Sequence, residues 1–377
     1  MRHKGKSMQP IFKLNPLDAE KAYREMTVTL SEELGISDVY AQDVSEKCCF
    51  GWIQNTECKG LICLAFPYPK TAHLFWLGVK KEDRQKGIGR ALMLYAEAFC
   101  LSQGCCSLTV ETLSPRENHP ASLHTFNFYR AQGFKPLFKS EQGSAFSRVY
   151  LQKILSLSIF KWIDLTHVLK DTIPTWDMTC GFQHATISDP QDLFVVQHIE
   201  MFAGVGTHMD APAHCISGGK TVEGFSLESL IRPCVVIDVS DRAHAHYTIN
   251  SQDIQNFERL HRELRPNDFV VFYTGWDKYW EEPVKYHNQY QFPNISKSAA
   301  EYLISKSIAG IGIDTLSPDR STEGFPVHAL ILGAGKFIVE NIANALQMPP
   351  TGGHVMVIPI RTCGTEAPIR LLGVVEG

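Results

Sequence analysis

The chain has 377 residues, of which 44% are hydrophobic and 20% charged, and its formal net charge is -4. This length suits about two globular domains, and the composition argues against extended disorder. The slightly acidic balance gives no indication of a nucleic-acid partner. No apolar run is long enough for a membrane helix, and no apolar segment follows the basic residues 1–6. We therefore expect neither a membrane span nor a secretory signal.

The cysteines number eleven, an odd count. The only close pairs are adjacent, Cys48-Cys49 and Cys105-Cys106, and this spacing suits neither a zinc knuckle nor a redox motif. A chain of this size does not need disulfides to hold its core together. We therefore expect reduced, mostly buried thiols and a cytoplasmic protein.

Strand and helix patterns alternate through the first part of the chain. Apolar and aromatic runs separated by turn residues predict strands over 49–53, 61–66, 74–79, 107–111, 134–138 and 147–151. Apolar residues at helical spacing predict a helix after Gly87-Ile88-Gly89 and another over 121–131, which ends at Gly133.

A second unit begins with the apolar strand Trp162-Ile163-Asp164-Leu165. Beyond it, the patterns predict strands over 234–239, 269–273 and 308–313, and helices over 251–264, 297–306 and 337–346. The mixture is that of an α+β or α/β protein. We place the domain boundary so that the two domains are residues 1–155 and 156–377.

A candidate anion site lies between the third predicted strand and the first of these helices. Its glycines let the backbone approach a ligand, and the free N–H groups at the helix start favour an anion such as a pyrophosphate. By itself, a Gly-x-Gly before a helix is equally compatible with an ordinary turn. The segment is Arg84-Gln85-Lys86-Gly87-Ile88-Gly89-Arg90.

This segment follows Leu77-Gly78-Val79, and the run from Phe128 to Phe134 comes later in the chain. Together they resemble the acetyl-CoA site of GNAT-type N-acetyltransferases, over roughly residues 10 to 155. The resemblance implies a mixed sheet with flanking helices. It also implies that the strand edge at Leu77 and Val79 pairs with the pantetheine arm and that the 84–90 loop holds the pyrophosphate of acetyl-CoA.

The same resemblance makes Tyr129 the general acid that protonates the leaving thiolate. The alternative is that Tyr129 is an aromatic residue of the core. Two features depart from the family. Asn118 and Ala121 lie about one helical turn too far from Tyr129, and the 74–79 strand lacks an acidic base. Glu111 and His73 are stand-ins of low specificity for the base, and the alternative for each is a structural or solvated residue.

The most specific motif of the chain is Gly206-Thr207-His208-Met209-Asp210-Ala211-Pro212-Ala213-His214. Its glycine and Pro212 argue against a regular helix. In an extended backbone, side chains two residues apart point the same way, so His208 and Asp210 can converge on one ion. Imidazole together with carboxylate suits Zn²⁺ or Mn²⁺.

Residues from about 162 to 377 resemble the cyclase superfamily, which includes bacterial kynurenine formamidases and isatin hydrolases. Its signature is His-x-Gly-Thr-His-x-Asp-x-Pro-x-His. The resemblance implies a swivelling β/β/α domain, a metal site at His208, Asp210, His328 and Glu340, and a proton-transfer role for His214. Further matching segments are Asp164-Leu165-Thr166-His167, Ile173-Pro174-Thr175-Trp176, Tyr273-Thr274-Gly275-Trp276, Gly312-Ile313-Asp314-Thr315, Val339-Glu340-Asn341-Ile342 and Pro368-Ile369-Arg370.

One position of the signature differs, because its first histidine is Gly204 here. Glycine has no side-chain ligand, so we expect a remodelled single-ion site. A site that has lost its metal is the alternative. His198 could replace the missing imidazole only if the preceding strand bends toward the site.

The two resemblances predict a bifunctional enzyme. One domain would acetylate a small amine, and the other would hydrolyse, or in reverse close, an amide, formamide or lactam bond. In the alternative, the second domain is a non-catalytic binding or dimerisation module beside an active acetyltransferase. Trp176, Phe182 and Trp276 could line a pocket for a flat substrate or pack in the core. Relatives of the second domain lead us to expect a homodimer or a higher homo-oligomer.

Overall fold

The structure, a computed structural model, describes residues 10–34, 41–115, 120–140, 147–179, 181–189 and 193–376. Asn118 and the basic residues 1–6 lie outside these ranges. Contacts divide the chain into two compact units, Met1–Ile159 and Phe160–Gly377. Both units contain helices and strands, which gives a two-domain α+β architecture. The functional boundary after residue 155 stays a prediction.

The first unit contains one sheet, in the order β1-β2-β3-β4-β5-β7-β6. Its main core lies between the sheet and α3, where Leu92, Met93 and Ala96 are fully buried. The elements are β1 (Ile11–Lys13), α1 (Pro16–Leu34), α2 (Ala41–Ser45), β2 (Cys48–Gln54), β3 (Glu57–Tyr68), β4 (Thr71–Val79), α3 (Ile88–Ser102), β5 (Ser107–Leu113), α4 (Pro120–Ala131), β6 (Lys135–Ser140) and β7 (Arg148–Ile154).

Strands β4 and β5 are the parallel pair of this sheet, and they separate part of the way along. They pair only between Thr71–Leu74 and Ser107–Val110. Beyond Leu74, β4 continues to Val79 paired with β3 alone, while β5 continues to Leu113 paired with β7. The divergence leaves the backbone of residues 75–79 with one edge that is not paired within the sheet.

The second unit contains seventeen named helices and strands among its described residues, together with several short 3₁₀ turns. They are β8 (Phe160–Asp164), β9 (Phe182–Thr186), β10 (Gln197–Met201), β11 (His208–Asp210), α5 (Leu227–Leu230), β12 (Ile231–Asp238), β13 (Thr248–Ile249), α6 (Ser251–Leu260), β14 (Phe269–Tyr273), α7 (Pro283–His287), β15 (Asn294–Ile295), α8 (Lys297–Ser305), β16 (Gly310–Ile313), α9 (Pro326–Gly333), β17 (Phe337–Glu340), β18 (Gly353–Pro359) and β19 (Glu366–Glu376).

The main sheet of the second unit closes into a barrel. Its order is β11-β17-β16-β14-β12-β18-β19-β8, and β11 also pairs with β19. Both faces of the central parallel strands are buried, so these strands are apolar throughout. Alternate residues face two different clusters: Val235 and Val270 pack with the helices, whereas Val236 and Val271 pack inside the barrel. The finer assignment to a swivelling β/β/α fold stays a prediction.

The predicted helix over 337–346 is wrong. Phe337–Glu340 is the buried strand β17, which pairs with β16 on one side and β11 on the other. The helix of this region is α9, just before it. A short apolar run has no periodicity that separates a buried strand from a buried helix, and here pairing inside the barrel decides. Within the described ranges, no helix has both the length and the apolar character that crossing a membrane requires.

Candidate active sites

The predicted parts of the acetyl-CoA site come together in the first unit. A Cβ atom built on Gly89 would lie 3.6 Å from the Phe128 ring and 3.7 Å from a methyl group of Val79. The start of α3 therefore lies beside the end of β4 and the last turn of α4. This is also where β4 and β5 have separated, so Leu77 and Val79 lie on a strand edge that is not paired with β5. At this edge the Arg84 Nε donates to the Val79 carbonyl at 3.3 Å.

The 84–90 segment has the backbone of an anion-binding turn. Gln85 and Gly87 have φ angles of 61° and 83°, and Gly87 is the N-cap of α3 without a side-chain cap. The first N–H groups of α3 are therefore available to a ligand. Lys86 pairs with Asp83 at 2.8 Å and Arg90 is exposed, so positive charge surrounds the helix start. Ile88 is buried and anchors the helix.

Tyr129 lies in the core of the first unit and is 5% exposed. Its ring makes edge contacts with Phe128 and Phe134, and burial raises the pKa of its phenol. These contacts account for Tyr129 as a packing residue, and its role as a general acid stays a prediction. The two candidate bases are both paired, His73 with Thr109 at 2.9 Å and Glu111 with Arg148 at 2.7 Å.

In the second unit, strands β11 and β17 and helix α9 bring the predicted metal ligands together. In the barrel, β11 lies between β17 and β19, with His208 opposite Glu340 and Asp210 opposite Glu366. Directly opposite residues of antiparallel strands project to the same face of the sheet. His328 reaches this face from α9, so two imidazoles and several carboxylates from four elements share one region.

The two imidazoles are held in matching orientations. Nδ1 of His208 lies 2.8 Å from the carbonyl oxygen of Gly206, and Nδ1 of His328 lies 2.8 Å from the carboxylate of Asp319. Because both partners accept, both Nδ1 atoms carry the proton, and Nε2 faces inward. Each Nε2 lies 3.5 Å from an oxygen of Asp210 and 3.3 Å from an oxygen of Glu340.

The centre of this cluster fits a divalent cation. Oδ1 of Asp210 and Oε1 of Glu340 are buried atoms without a hydrogen-bond partner. Buried charged oxygens are costly unless a cation or a donor satisfies them. Burial lowers the pKa of His208, but the Asp210 and Glu340 carboxylates outweigh burial and raise it to about 10. A field that attracts protons this strongly attracts a metal ion for the same reason.

The remaining family motifs form the frame around this cluster. Asn341 donates to the Gly206 carbonyl at 2.8 Å, and its own carbonyl accepts from Thr207 at 2.6 Å. The buried Asp314 accepts from the backbone of Thr274 and Trp276, and burial raises its pKa to about 7. Asn341 of one motif therefore fixes the loop at Gly206 and Thr207, and Asp314 of another fixes the loop from Thr274 to Trp276.

His214 follows Pro212 in a 3₁₀ turn just after β11. One of its ring nitrogens lies within 4.8 Å of ligand atoms of both Asp210 and His328. Its Nδ1 lies 3.1 Å from Oε2 of Glu366. A Cβ atom on Gly204 would lie 2.9 Å from that same oxygen, so Glu366 occupies the space beside the position where the signature has its first histidine. His198 is exposed on β10, and neither candidate metal cluster among the described residues includes it.

The three predicted pocket aromatics meet in one apolar cluster, with Trp176 at its partly buried edge. Phe182 and Trp276 are each 8% exposed and pack in one apolar cluster. Trp176 contacts Phe325, and Phe325 lies with its ring centre 5.8 Å from that of His328. Of the three aromatics, Trp176 is therefore the one that the structure connects to the site. The connection runs through Phe325, which is part of none of the sequence motifs.

Comparison with known proteins assigns a family to each half. Residues 17–134 match the acetyltransferase (GNAT) family, and residues 163–320 match the family described as putative cyclase. An isatin hydrolase of Roseibium aggregatum is 32% identical over 186 residues, which are 45% of this chain and 71% of that protein. The chain is a two-domain protein that belongs to the cyclase family and carries a GNAT acetyltransferase domain before the cyclase domain.

Two further relatives agree with this assignment. A kynurenine formamidase of Geobacillus thermodenitrificans is 29% identical over 213 residues, 55% of this chain and 95% of that protein. The structure of isatin hydrolase A from Labrenzia aggregata, bound to benzyl benzoate, is 28% identical with a TM-score of 0.55. That match covers 58% of this chain and 95% of the relative.

Three residues of the second site escaped the sequence reasoning: Asp319, Phe325 and Glu366. Asp319 and Phe325 lie shortly before His328 in the sequence. Closeness to this predicted ligand was the one sign in the sequence that they belong to the site. Glu366 comes from β19, far along the chain from His214. Its position depends on strand register, which no local pattern reveals.

Proposed function

We propose that the chain is a bifunctional enzyme. The second domain hydrolyses, or in reverse closes, an amide, formamide or lactam bond with the help of Zn²⁺ or Mn²⁺. The observation that carries this proposal is that His208, Asp210, His328 and Glu340 come together in one cluster. Within it, Oδ1 of Asp210 and Oε1 of Glu340 are buried without a hydrogen-bond partner. The relatives named for isatin and kynurenine chemistry support this class of substrate.

The residues of the chain have separate roles in this reaction. His208, Asp210, His328 and Glu340 would hold the ion, with Gly206 and Asp319 fixing the two imidazoles. A bound divalent ion lowers the pKa of water and polarises a carbonyl group. His214 takes the proton from the attacking water and returns it to the leaving nitrogen. Trp176 and Phe325 offer aromatic surface to a flat substrate.

Metal analysis of the purified protein tests this proposal. We expect a stoichiometric ion in the wild type, its loss in His208→Ala, and its retention in the matched control His198→Ala. Isatin and N-formylkynurenine serve as lactam and formamide probes, and hydrolysis should disappear with the ion. A protein that binds neither zinc nor manganese, and whose stability His208→Ala leaves unchanged, would instead be the non-catalytic binding or dimerisation module.

For the first domain we propose acetyl-CoA-dependent N-acetylation of a small amine. The separation of β4 and β5 beside the uncapped start of α3 supports it, because it combines a strand edge that is not paired with β5 and a backbone anion site. Thiol release from acetyl-CoA across a panel of amines measures the activity. Tyr129→Phe should lower kcat if Tyr129 is the general acid. Unchanged turnover would leave Tyr129 as a core aromatic.

We propose that the protein is a homodimer that works in the cytoplasm. The ten described cysteines are free thiols. Every residue of β10 is exposed, and an isolated two-stranded ribbon is marginally stable in water. A second copy would cover the apolar side chains. Phe194→Asp should then turn a dimer into a monomer in light scattering coupled to size exclusion. The exposed apolar residues on this ribbon and its flanks are Ile187, Leu193, Phe194, Val195, Val196, Ile199, Met201 and Phe202.

A further inference from the structure

The space beside Gly204 contains the carboxylate of Glu366. A Cβ atom at position 204 would lie 2.9 Å from Oε2, 3.0 Å from Cδ and 3.2 Å from Oε1 of Glu366. The shortest distance is below the approach that Cβ atoms make in proteins and the other two are tight, so a side chain at 204 requires the flexible end of Glu366 to shift. Gly204 and the present position of Glu366 therefore depend on each other.

Strand register gives Glu366 a fixed direction. In the pairing of β11 with β19, Glu366 lies directly opposite Asp210, and the Ala211 N–H donates to the Thr365 carbonyl at 2.9 Å. Opposed residues share a face of the sheet, so the Glu366 side chain projects toward the same side as Asp210. The pairing of the β11 and β19 backbones, more than the Glu366 rotamer, places this carboxylate near the site.

On that face, Glu366 meets His214. Oε2 of Glu366 lies 3.1 Å from Nδ1 of His214, whose side chain is 35% exposed while that of Glu366 is 24% exposed. His208 and His328 each have their Nδ1 beside an acceptor, with Nε2 facing the cluster. Glu366 supplies the corresponding acceptor for the third histidine. The two candidate metal clusters of the described residues do not include Glu366.

We propose that Glu366 is a positioning residue for His214, and that Gly204 provides the room for it. The carboxylate accepts a hydrogen bond from the Nδ1–H of His214 and so favours the tautomer whose Nε2 carries no proton and can accept one from water. The proposal rests on the proposed hydrolytic function. It also explains why Gly204 stands where the signature has its first histidine. Without a side chain at 204, the Glu366 carboxylate has room beside His214.

The tautomer of His214 tests the pair without depending on activity. The full-length protein is labelled with ¹⁵N at histidine, and the His214 ring signals are assigned with His214→Gln. We expect the Nδ1–H form in the wild type and in Glu366→Gln, whose amide oxygen can still accept. In Glu366→Ala and Gly204→Ala this preference should be lost. Gly333→Ala is the matched control, because its new Cβ would meet only one methyl group at 3.8 Å.

Kinetics and metal content complete the test. With the wild type active on isatin, Glu366→Ala should lower kcat ~10–100-fold with little change in KM, the usual cost of losing a positioning partner. The metal content should stay unchanged. If the His214 tautomer is unaltered in Glu366→Ala, Glu366 does not orient His214, and the proposal is overturned. If the tautomer changes while kcat does not, the orientation of His214 has no role in the reaction. Loss of metal in Glu366→Ala would make Glu366 a ligand, which also overturns the proposal.

An inactive wild type would count against the proposed function and not against the pair, since the tautomer measurement still decides whether Glu366 orients His214. Gly204→Ala guards against misfolding of Glu366→Ala, because it displaces the carboxylate without removing it.

Discussion

At the scale of single residues, the second site depends on acceptors that fix histidine rings. Asp319 is the strongest example: one oxygen accepts from the Val327 N–H, and the other from both the N–H and Nδ1 of His328. The carboxylate thus anchors the start of α9 and orients the imidazole in one contact. A ligand that is oriented before the ion arrives loses less freedom when it binds.

Asp319→Asn should weaken zinc binding ~10–100-fold, because the neutral amide is a poorer acceptor for the Nδ1 proton of His328. Competition with a chromophoric chelator measures the affinity. Asp177→Asn is the matched control, since Asp177 is exposed and its carboxylate accepts from Thr175 and Thr179 of its own turn. Equal affinity in the wild type and Asp319→Asn would contradict the role of Asp319.

A second prediction at this scale concerns pH. The ring of His167 stacks on Trp280 with 4.0 Å between centroids, and burial lowers its pKa to about 4. The unfolded chain binds a proton near pH 6.5, whereas the folded chain does so only near pH 4. Stability is therefore complete above about pH 6.5 and falls by up to about 3 kcal/mol as the pH drops through this window.

His167→Gln should remove this part of the acid sensitivity. Urea unfolding between pH 7 and pH 4, with a chelator present so that metal release does not contribute, measures it. The exposed His354→Gln serves as the control. A pH dependence of the same steepness in His167→Gln and wild type would show that other groups are responsible.

At the scale of elements, the two ends of α3 offer an internal comparison. Gly87 begins the helix with φ 83°, and Gly104 follows its end with φ 78°. A Cβ atom at either position would meet no atom within 4 Å. Alanine therefore introduces similar backbone strain at both ends, about 1 kcal/mol, and only the start of the helix faces the proposed pyrophosphate.

Gly87→Ala should weaken coenzyme A binding by about tenfold or more, while Gly104→Ala should leave it unchanged. The added methyl group at 87 would occupy the path along which the backbone approaches the ligand. Calorimetric titration with coenzyme A measures the affinity. Equal weakening by both variants would point to strain in α3, and no weakening by either would place the coenzyme elsewhere.

The elements also show how far the sequence could predict the structure. Most strands and α3 were predictable because their periodicity is local, and His208 and Asp210 because they are two residues apart in an extended motif. Strand β17 was mistaken for a helix, since four buried residues have no distinctive period. Glu366 was unpredictable because its position comes from the pairing of β19 with β11. Residues of a local motif can therefore be predicted from the sequence. Positions set by the register between distant strands cannot, because no local pattern encodes that register.

At the scale of the whole molecule, each unit has its own buried cores, so each should respond to its own ligand. Differential scanning calorimetry should show that coenzyme A raises one unfolding transition and that a chelator lowers the other. Ligand at 100 times its Kd adds about 2.7 kcal/mol, which corresponds to a few degrees.

Variants assign the two transitions. Gly87→Ala should reduce the response to coenzyme A and leave the response to the chelator unchanged, whereas His208→Ala should remove only the response to the chelator. A single transition that responds equally to both ligands would contradict independent unfolding of the two units.

The three residues of β11 have a consequence for how the metal centre can fail. All three are buried, and the strand is bonded to β17 on one side and β19 on the other, where it closes the barrel. His208 and Asp210 therefore sit in the seam of the barrel itself. Local fraying cannot spread them apart, because separating them requires the barrel to unzip. The proposed ligands on β11 would therefore keep their arrangement without an ion, and one ion would replace another without refolding of the chain.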